Sequence, residues 1–600
     1  MNNRTRGGNQ SNQASGQKAN NFKATWGKML NYFRSYWTAG IIALMSAVIG
    51  TVLTLIGPDK LSELTDIVTA GIVTGIDMDA VRTIGFTLVG FYGLSGLLSL
   101  VQGLIMAEVT QRISQKLRQD LSQKINKLPI AYFDNNTTGD ILSRMTNDID
   151  TIAQSLNQSI STLVTATTML VGSLIMMLTT NLIMTATAVL ATLIGIGLMM
   201  LIMSQSQKYF SRQQNDLGAI NGHIEEIYTN QTIVKVYNGE DDALQSFIQI
   251  NKNLQTSGFR AQSLSGLMMP IMTFIGNFGY VAVCIVGAML AFNGTISFGV
   301  IVAFIMYVRY FTQPLSQLAQ AAQSLQSTAA AGERVFNMLE SPEMEDESDK
   351  TAQLSNIEGN VEFSNVGFSY PGSDKTIIHD FSAKAKAGEK IAIVGPTGAG
   401  KTTMINLLMR FYDVSRGDIK IDGVSTNELK REDVRSQFSM VLQDTWIFNG
   451  TVRENLVYSV ENVSDEKVEE ASRAVGLHHF ITTMPDGYDT VLNDQVSLSE
   501  GQKQQITIAR AMIADKPMLI LDEATSSVDT RTELNIQNAM DKLMEGRTSF
   551  IIAHRLSTIK NADLILVMKD GDIIESGTHD DLLEQGTFYA KLYNSQFEAA

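Results

Sequence analysis

Six long apolar segments constrain this 600-residue chain more than any other feature of its sequence. Each reaches the roughly 20 largely apolar residues that an α-helix needs to cross the hydrocarbon core of a bilayer. A buried helix of a soluble protein could explain one such segment, but six predict a polytopic α-helical membrane domain that contacts the lipid bilayer. The segments lie at about residues 38–57, 83–106, 157–178, 182–204, 267–292 and 298–320.

The charged residues between these segments predict the orientation of the chain. The N-terminal 36 residues contain Lys and Arg but no acid, and six further basic residues lie in the segment 107–156. In contrast, residues 58–82 carry five acids against two basic residues. By the positive-inside rule, the first two regions are cytosolic. We therefore expect a multi-pass protein of the cytoplasmic (inner) membrane with both termini in the cytosol.

The stretches around the spans predict further parts of this domain. Residues 1–22 are mostly Asn, Gln, Gly and Ser, which is typical of a disordered cytosolic tail. The aromatic and basic residues of 24–37 indicate either an elbow helix at the membrane interface or the first turns of the next span. The whole transmembrane domain is predicted over residues 23–335. Its two long cytosolic loops have helical spacing, so we expect helical extensions that reach a cytosolic domain.

The composition changes beyond the last span. Residues 336–354 include an acidic linker, and from there the apolar runs shorten to strand length, which predicts a soluble α/β domain over 355–600. The net charge of −15 argues against a nucleic-acid partner, because proteins that bind nucleic acids usually carry a basic surface. A single cysteine, Cys284, excludes an intramolecular disulfide and a cysteine-rich zinc site.

The predicted soluble domain contains a phosphate-binding pattern. The strand Ile391–Val394 leads into a glycine loop and an amphipathic helix, as in the pattern G-x-x-x-x-G-K-[ST] of P-loop proteins. Such a loop turns backbone N–H groups toward phosphates, while Lys401 neutralises their charge and Thr402 can ligate Mg²⁺. We therefore predict a P-loop domain that binds a nucleoside triphosphate through contacts that include Gly395, Pro396, Thr397, Gly398, Ala399, Gly400, Lys401, Thr402 and Thr403.

A pair of acidic residues about 120 positions further along the chain completes the predicted site. The apolar strand Met518–Leu521 ends in Asp522 and Glu523. An acid at the carboxyl end of a buried strand can hold Mg²⁺, and the next acid can activate water for attack on the γ-phosphate. We assign Asp522 to the metal and Glu523 to catalysis.

The run Leu498-Ser499-Glu500-Gly501-Gln502 resembles the signature of ATP-binding cassette (ABC) proteins. In that family, the signature closes over ATP held by the opposite subunit, so a chain with one cassette is expected to dimerise. The resemblance implies four further site residues. Tyr370 would stack on adenine, Gln443 would contact Mg²⁺, Asp529 lies in the loop that crosses the dimer, and His554 would contact the γ-phosphate during catalysis.

Six spans followed by one cassette resemble exporter half-transporters of the same family. The stretches 133–150 and 225–241 look like the family's segments around the helices that dock on the cassettes. The resemblance implies ATP hydrolysis coupled to transport, in which closure of the cassettes moves the docking helices and turns the cavity outward.

Two features of the signature region depart from the family pattern. Glu500 stands where glycine is usual, and the upstream run TVLNDQVS lacks the usual glycine and glutamate. A carboxylate beside a triphosphate is unfavourable, so we expect one impaired ATP site. With Glu523 intact, the chain resembles one subunit of two-chain bacterial multidrug exporters, and we favour a heterodimer over a homodimer. The alternative is that Glu500 is tolerated with its side chain turned to water.

The spans give limited information about the cargo. Arg309 is the exception in nearly uncharged spans, and it either contacts substrate or gating elements or reaches the cytosolic interface. We expect export of hydrophobic or amphipathic small molecules, as in multidrug efflux. A lipid flippase or a peptide exporter is the alternative. An ATP-gated channel or regulatory subunit is a third possibility from a different class.

Overall fold

The computed structural model describes residues 21–442, 445–493, 498–522, 530–552 and 559–597. The chain forms two compact units. The first, called the membrane unit here, comprises Met1–Asn126 and Thr138–Ser341. The second, the cassette unit, comprises Lys127–Thr137 and Pro342–Ala600.

The membrane unit is helical. Among the described residues, six helical segments are long and apolar enough to cross a membrane, which confirms the predicted fold class. Five of the predicted spans lie within one of these segments, and the fifth in order, 267–292, begins six residues before its segment, Thr273–Phe292. The helices in chain order are α1 (Phe22–Phe33), α2 (Trp37–Thr74), α3 (Met78–Lys127), α4 (Ile130–Asn135, in the cassette unit), α5 (Thr138–Ser143), α6 (Ile149–Thr180), α7 (Leu182–Thr229), α8 (Gln231–Val236), α9 (Glu240–Gly266), α10 (Met268–Phe292) and α11 (Phe298–Leu339).

Several of these helices continue well beyond the length of a membrane span. Helix α3 has 50 residues, which correspond to about 75 Å at 1.5 Å per residue, whereas the hydrocarbon core is about 30 Å thick. Helix α7, with 48 residues, is similarly long. The long loops predicted between the spans are therefore largely continuations of the spanning helices.

Buried side chains hold the last helix of the membrane unit in place. Phe304 and Tyr307 of α11 pack with Met177 of α6 and Met184 of α7 in one apolar cluster. Further along α11, the Arg334 guanidinium donates to both carboxylate oxygens of Asp148, at 2.5 and 2.9 Å. Asp148 is almost fully buried, so loss of either partner would leave an uncompensated charge.

The cassette unit is built on two main sheets. One has strand order β2-β1-β4-β5, and the other has strand order β12-β11-β3-β10-β9-β6. The strands are β1 (Val361–Ser369), β2 (Thr376–Ala385), β3 (Lys390–Val394), β4 (Arg416–Ile421), β5 (Val424–Ser425), β6 (Phe438–Val441), β7 (Gly450–Thr451), β8 (Val491–Leu492), β9 (Met518–Asp522), β10 (Thr548–Ile552), β11 (Leu564–Lys569) and β12 (Asp572–Gly577).

Helices cover the six-stranded sheet, whose apolar strands belong to two buried cores. The helices are α12 (Lys401–Leu408), α13 (Arg431–Arg435), α14 (Val452–Val457), α15 (Asp465–Ala474), α16 (His478–Thr483), α17 (Glu500–Ala514), α18 (Thr530–Met544), α19 (His579–Glu584) and α20 (Phe588–Phe597).

The order of the parallel strands positions the candidate site. Strand β10 pairs in parallel with β3 on one side and with β9 on the other. The carboxyl ends of β3 and β9 therefore lie at the same edge of the sheet, two strand spacings or about 10 Å apart. The glycine loop follows β3 and Asp522 ends β9, so the topology brings these two motifs together although they are far apart in sequence.

Candidate functional site

The loop between β3 and α12 has a backbone that requires glycine. Gly395, Gly398 and Gly400 all adopt positive φ angles, of 155°, 84° and 101°. A Cβ on Gly395 would lie 2.3 Å from the carbonyl oxygen of Met568, and one on Gly400 would lie 2.7 Å from Ile378 Cδ1. A side chain at either position would strain the backbone and clash, so the glycines preserve the curved loop that opens α12.

Lys401 is held inside this loop. Its Nζ donates to the carbonyl oxygens of Gly395 at 2.7 Å and Pro396 at 3.1 Å, and the residue is buried. Burial lowers the pKa of the Lys401 ammonium, while the Asp522 carboxylate acts in the opposite direction. A positive charge in such surroundings is stabilised by an incoming anion, because the local dielectric is low.

The loop and the end of β9 carry side-chain oxygen atoms that could serve as metal ligands. Thr402 is exposed in the first turn of α12, and Asp522 is partly buried at the last position of β9. The remaining side chains of the loop differ in exposure: Thr403 and Ala399 are buried, whereas Pro396 and Thr397 are exposed. The loop therefore has two exposed threonines, Thr397 and Thr402, and one buried threonine, Thr403.

Tyr370 is hydrogen-bonded to helix α12. Its hydroxyl shares a hydrogen bond of 3.1 Å with Thr403 Oγ1. Its ring packs edge-on against Tyr412 and Phe368, with centroids 5.1 and 4.9 Å away. The sequence predicted an adenine contact for Tyr370, and the structure brings this aromatic side chain to the first turn of α12.

The signature segment forms another helix start. Ser499 caps α17: its Oγ accepts from the Gln502 N–H at 3.2 Å, while Gln502 Oε1 accepts from the Ser499 N–H at 2.9 Å. Gly501 is buried beneath them. This reciprocal arrangement satisfies two backbone donors and fixes the Ser499 and Gln502 side chains at the helix entrance.

Glu500 points away from this cap. Its carboxylate accepts from Lys503 Nζ at 2.8 Å and from Thr445 Oγ1 at 3.5 Å, and the side chain is 64% exposed. The hydrogen bond from Lys503 holds the pKa of Glu500 below its usual value. Sequence reasoning missed Lys503, although its spacing of three residues from Glu500 on a helix was a usable signal.

The comparisons with known proteins decide the family. The model of the ABC transporter transmembrane region matches residues 41–315, and the ABC transporter model matches residues 378–526. A fatty acid ABC transporter ATP-binding/permease protein of Mycobacterium bovis is 45% identical over 86% of this chain and 82% of its own length. This chain belongs to the ABC transporter family.

Two further relatives support an exporter. An ATP-dependent lipid A-core flippase of Syntrophus aciditrophicus is 32% identical over 87% of this chain and 86% of that protein. The solved structure of a bacterial Atm1-family ABC exporter with ATP bound covers 93% of this chain and 98% of its own, with 26% identity and a TM-score of 0.70. This ABC transporter is thus an ATP-hydrolysing membrane exporter, and the family resemblance predicted from its motifs is confirmed.

Four of the ABC transporter's predicted site residues lie outside the described residues: Gln443, Glu523, Asp529 and His554. The strands that precede three of them are described. Strands β6, β9 and β10 end at Val441, Asp522 and Ile552, and they run in parallel at neighbouring positions of the sheet. Their carboxyl ends lie at the edge where the glycine loop begins.

The first part of one predicted docking stretch, residues 133–137, belongs to the cassette unit, whereas residues 138–150 belong to the membrane unit. Helix α4 overlaps the stretch 133–150, and the Tyr412 hydroxyl donates a hydrogen bond to its Asp134 carboxylate. Burial, followed by this hydrogen bond, raises the pKa of Tyr412. Ala131 packs against the buried core of the same unit. The described contacts thus bring α4 together with the aromatic cluster that contains Tyr370.

The second docking stretch, 225–241, contains α8 and lies in the membrane unit. Several of its apolar side chains are exposed, with Ile233 at 56%, Val236 at 69% and Tyr237 at 80%. ABC exporters work as dimers, and exposed apolar side chains of this kind are suited to a protein contact.

Proposed function

We propose that this ABC transporter exports hydrophobic or amphipathic compounds, including drugs, across the cytoplasmic membrane by alternating access. One observation carries the proposal. A single chain combines six candidate membrane spans with a glycine loop that surrounds a buried, positively charged Lys401. Phosphate chemistry at the loop can therefore be coupled to a membrane-dissolved cargo. We also propose that both termini are cytosolic, because the flanking loops are basic.

In the proposed ATP site, the loop Gly395–Thr403 surrounds the phosphates and Lys401 neutralises their charge. Tyr370 follows β1, its hydroxyl is hydrogen-bonded to Thr403 in the first turn of α12, and its ring contacts adenine. Glu523 activates the attacking water and His554 contacts the γ-phosphate, as the family resemblance implies. These roles follow from residue type and from strand ends that share one edge of the sheet.

The oxygen ligands at this edge fit Mg²⁺. Among the described residues, no group of three or more His, Cys, Asp or Glu side chains could form a protein-only metal site. Mg²⁺ does not need one, since it is usually held by one or two carboxylates together with substrate phosphates. We propose Thr402, Asp522 and Gln443 as its protein ligands. Bound there, the ion would offset the charge that develops on the phosphates.

The dimer supplies the second half of each ATP site. Ser499, Glu500, Gly501, Gln502 and Asp529 are proposed to face nucleotide held by the partner. We propose a heterodimer with a second half-transporter, in which Glu523 serves the competent site and Glu500 weakens the other. A carboxylate in the first turn of α17 reduces the attraction of that helix start for an anion.

The homodimer is a second candidate, and the ion pair between Glu500 and Lys503 favours it. Lys503 offsets the charge of Glu500 locally, so a signature with this pair can accept ATP in both sites. ATPase activity of the purified chain in liposomes, alone and with a second half-transporter, separates the two candidates. Full cargo-stimulated activity from this chain alone would establish the homodimer.

A lipid-like cargo is also supported. The relative at 45% identity is named a fatty acid transporter, and the relative at 32% identity is named a lipid A-core flippase. Both names specify amphiphiles with acyl chains. We therefore propose lipid export as the alternative to drug efflux within the same transport cycle.

Transport into sealed liposomes tests the proposal directly. A lipophilic dye and a fluorescent fatty acid would be presented with ATP and Mg²⁺, and Lys401→Ala would serve as the inactive control. ATP-dependent accumulation of either compound supports an exporter, and the preferred compound separates drug efflux from lipid export. Ion currents without accumulation would instead indicate a channel.

A further inference from the structure

A cavity of about 540 Å³ lies between α7, α10 and α11 in the membrane unit. This volume is within the range of small-molecule sites in proteins. Most of its lining is apolar, and the α7 wall is rich in methionine, with Met199, Met200 and Met203. Methionine side chains adapt to irregular apolar partners, so this wall can accommodate a hydrocarbon chain of variable shape.

The side of the cavity formed by α11 is more polar. It contributes Arg309, Thr312, Gln313 and Ser316 to the lining. Their spacing of three, four and seven residues from Arg309 places all four on one face of the helix. Since the described residues that line the cavity include no Asp or Glu, the polar face carries a net positive charge.

The position of Arg309 in α11 makes this charge unusual. Helix α11 begins at Phe298, next to the predicted outer loop, and Arg309 is its twelfth residue. It therefore lies about 17 Å along the helix, near the middle of a hydrocarbon core about 30 Å thick. This depth disfavours the alternative in which Arg309 reaches the cytosolic interface. Within the described residues, no acid forms an ion pair with Arg309.

An arginine without an acidic partner at this depth is costly unless something satisfies its charge. We propose that the cavity binds an anionic amphiphile, with a carboxylate or phosphate head group on Arg309 and an acyl or alkyl chain against the methionine wall. Arginine suits this head group because its planar N–H groups can form two parallel charge-assisted hydrogen bonds. Gln313 and Thr312 provide neutral donors beside it. The inference rests on the proposed export function and specifies its substrate class.

Four probes with the same twelve-carbon chain test the head-group preference: dodecanoate, dodecyl phosphate, dodecanol and dodecyltrimethylammonium. Stimulation of ATPase activity and binding by the full-length transporter in liposomes would be measured for each. We expect the two anionic probes to act at concentrations at least tenfold lower than the neutral and cationic probes. The ratio between dodecanoate and dodecyl phosphate distinguishes a carboxylate cargo from a phosphate cargo.

Substitution of Arg309 assigns the preference to this cavity. In Arg309→Gln, the half-maximal concentration of the anionic probes should rise by about 10- to 100-fold, as expected for loss of a hydrogen bond to a charged group. The values for dodecanol should stay unchanged, and Arg309→Lys should restore part of the preference. Arg82→Gln, at the other end of the membrane unit's sequence, is the matched control and should behave as wild type.

The outcomes separate this inference from the proposed function. Transport of amphiphiles without regard to head-group charge, unaffected by Arg309→Gln, would overturn the inference and leave amphiphile export intact. Intact ATPase activity with no probe bound or transported would overturn the export proposal. If Arg309→Gln does not insert into membranes, the wild-type head-group preference and Gln313→Leu carry the test. Gln313→Leu keeps the charge and should weaken only the anionic probes, by a few fold.

Discussion

Two helix starts of the cassette unit are proposed to face phosphate, and they differ in charge. The start of α12 carries Lys401 in its first turn and no acid, while the start of α17 carries Glu500. Both ends share the partial positive charge of a helix N-terminus. At α12, the buried Lys401 adds to this positive charge. At α17 a carboxylate opposes it, and Lys503 offsets that carboxylate at 2.8 Å.

This difference indicates that charge affects phosphate binding more strongly at α12 than at α17. The buried α12 site has little solvent screening, so its charge contributes strongly to binding. The pair at α17 is exposed to water, where ion pairs typically contribute about 0–1 kcal/mol. Substitutions at α12 should therefore have large effects on ATP binding or turnover, whereas substitutions at α17 should have small effects on ATP-dependent dimerisation.

The largest effect is expected from the acid that serves the α12 site. Glu523→Gln should leave ATP binding intact and lower turnover by about 10²- to 10⁴-fold, because water is no longer activated while the phosphate contacts remain. Measurement of ATP hydrolysis alongside ATP binding checks this. Retention of more than about half of the wild-type rate would contradict the catalytic assignment.

Lys401→Ala should act on binding. Loss of a charged donor to phosphate is expected to weaken ATP affinity by about 10- to 100-fold. Equilibrium binding of labelled ATP provides the measurement. Lys390→Ala, at the first residue of β3 in the same unit, is the matched control and should bind ATP normally. Equal losses in both variants would show that the effect is general charge removal rather than the geometry of the loop.

Gly400→Ala tests the shape of the α12 start without changing its charge. The positive φ and the 2.7 Å approach to Ile378 Cδ1 should destabilise the loop by about 1–3 kcal/mol and reduce ATP affinity. Gly388→Ala is a useful comparison, since Gly388 has a φ of +76° and open space around its Cα. That variant should show backbone strain in thermal unfolding but unchanged ATP binding.

The smallest effect is expected at α17. Lys503→Ala should reduce ATP-dependent dimerisation by a factor of about 2 to 5, because an exposed pair contributes about 0.2–1 kcal/mol. The double variant Glu500→Gly with Lys503→Ala should recover most of this loss. A double-mutant cycle on dimerisation measures the coupling, and additive effects would show that Lys503 does not compensate for Glu500.

The sequence predicted the parts of this fold that depend on local pattern. Apolar runs of about 20 residues located all six spans, since hydropathy and helix length together determine what can cross a bilayer. The glycine loop was also predictable, because its positive φ angles require glycine at fixed spacing. Asp522 was predicted at the end of an apolar strand, but the edge that this strand shares with β3 depends on the strand order of the folded sheet.

Contacts between distant residues were not predictable in the same way. Tyr370 was assigned to adenine, but its hydrogen bond to Thr403 and its packing on Tyr412 depend on tertiary placement. Likewise, the family resemblance indicated docking near residues 133–150, but no local pattern identified Asp134 and Tyr412 as the contacting pair. Arg309 was located in a span, yet its place among cavity-lining residues required the packing of three helices.

The membership of α4 in the cassette unit has a consequence for synthesis of the protein. Asp134 and Tyr412, which share a hydrogen bond, are 278 positions apart in the chain. At about 5–20 residues per second, the ribosome produces Tyr412 some 14 to 56 seconds after Asp134. During that interval the part of the cassette unit that α4 contacts has not yet been synthesised, so all six membrane spans are made before α4 can reach its folded position.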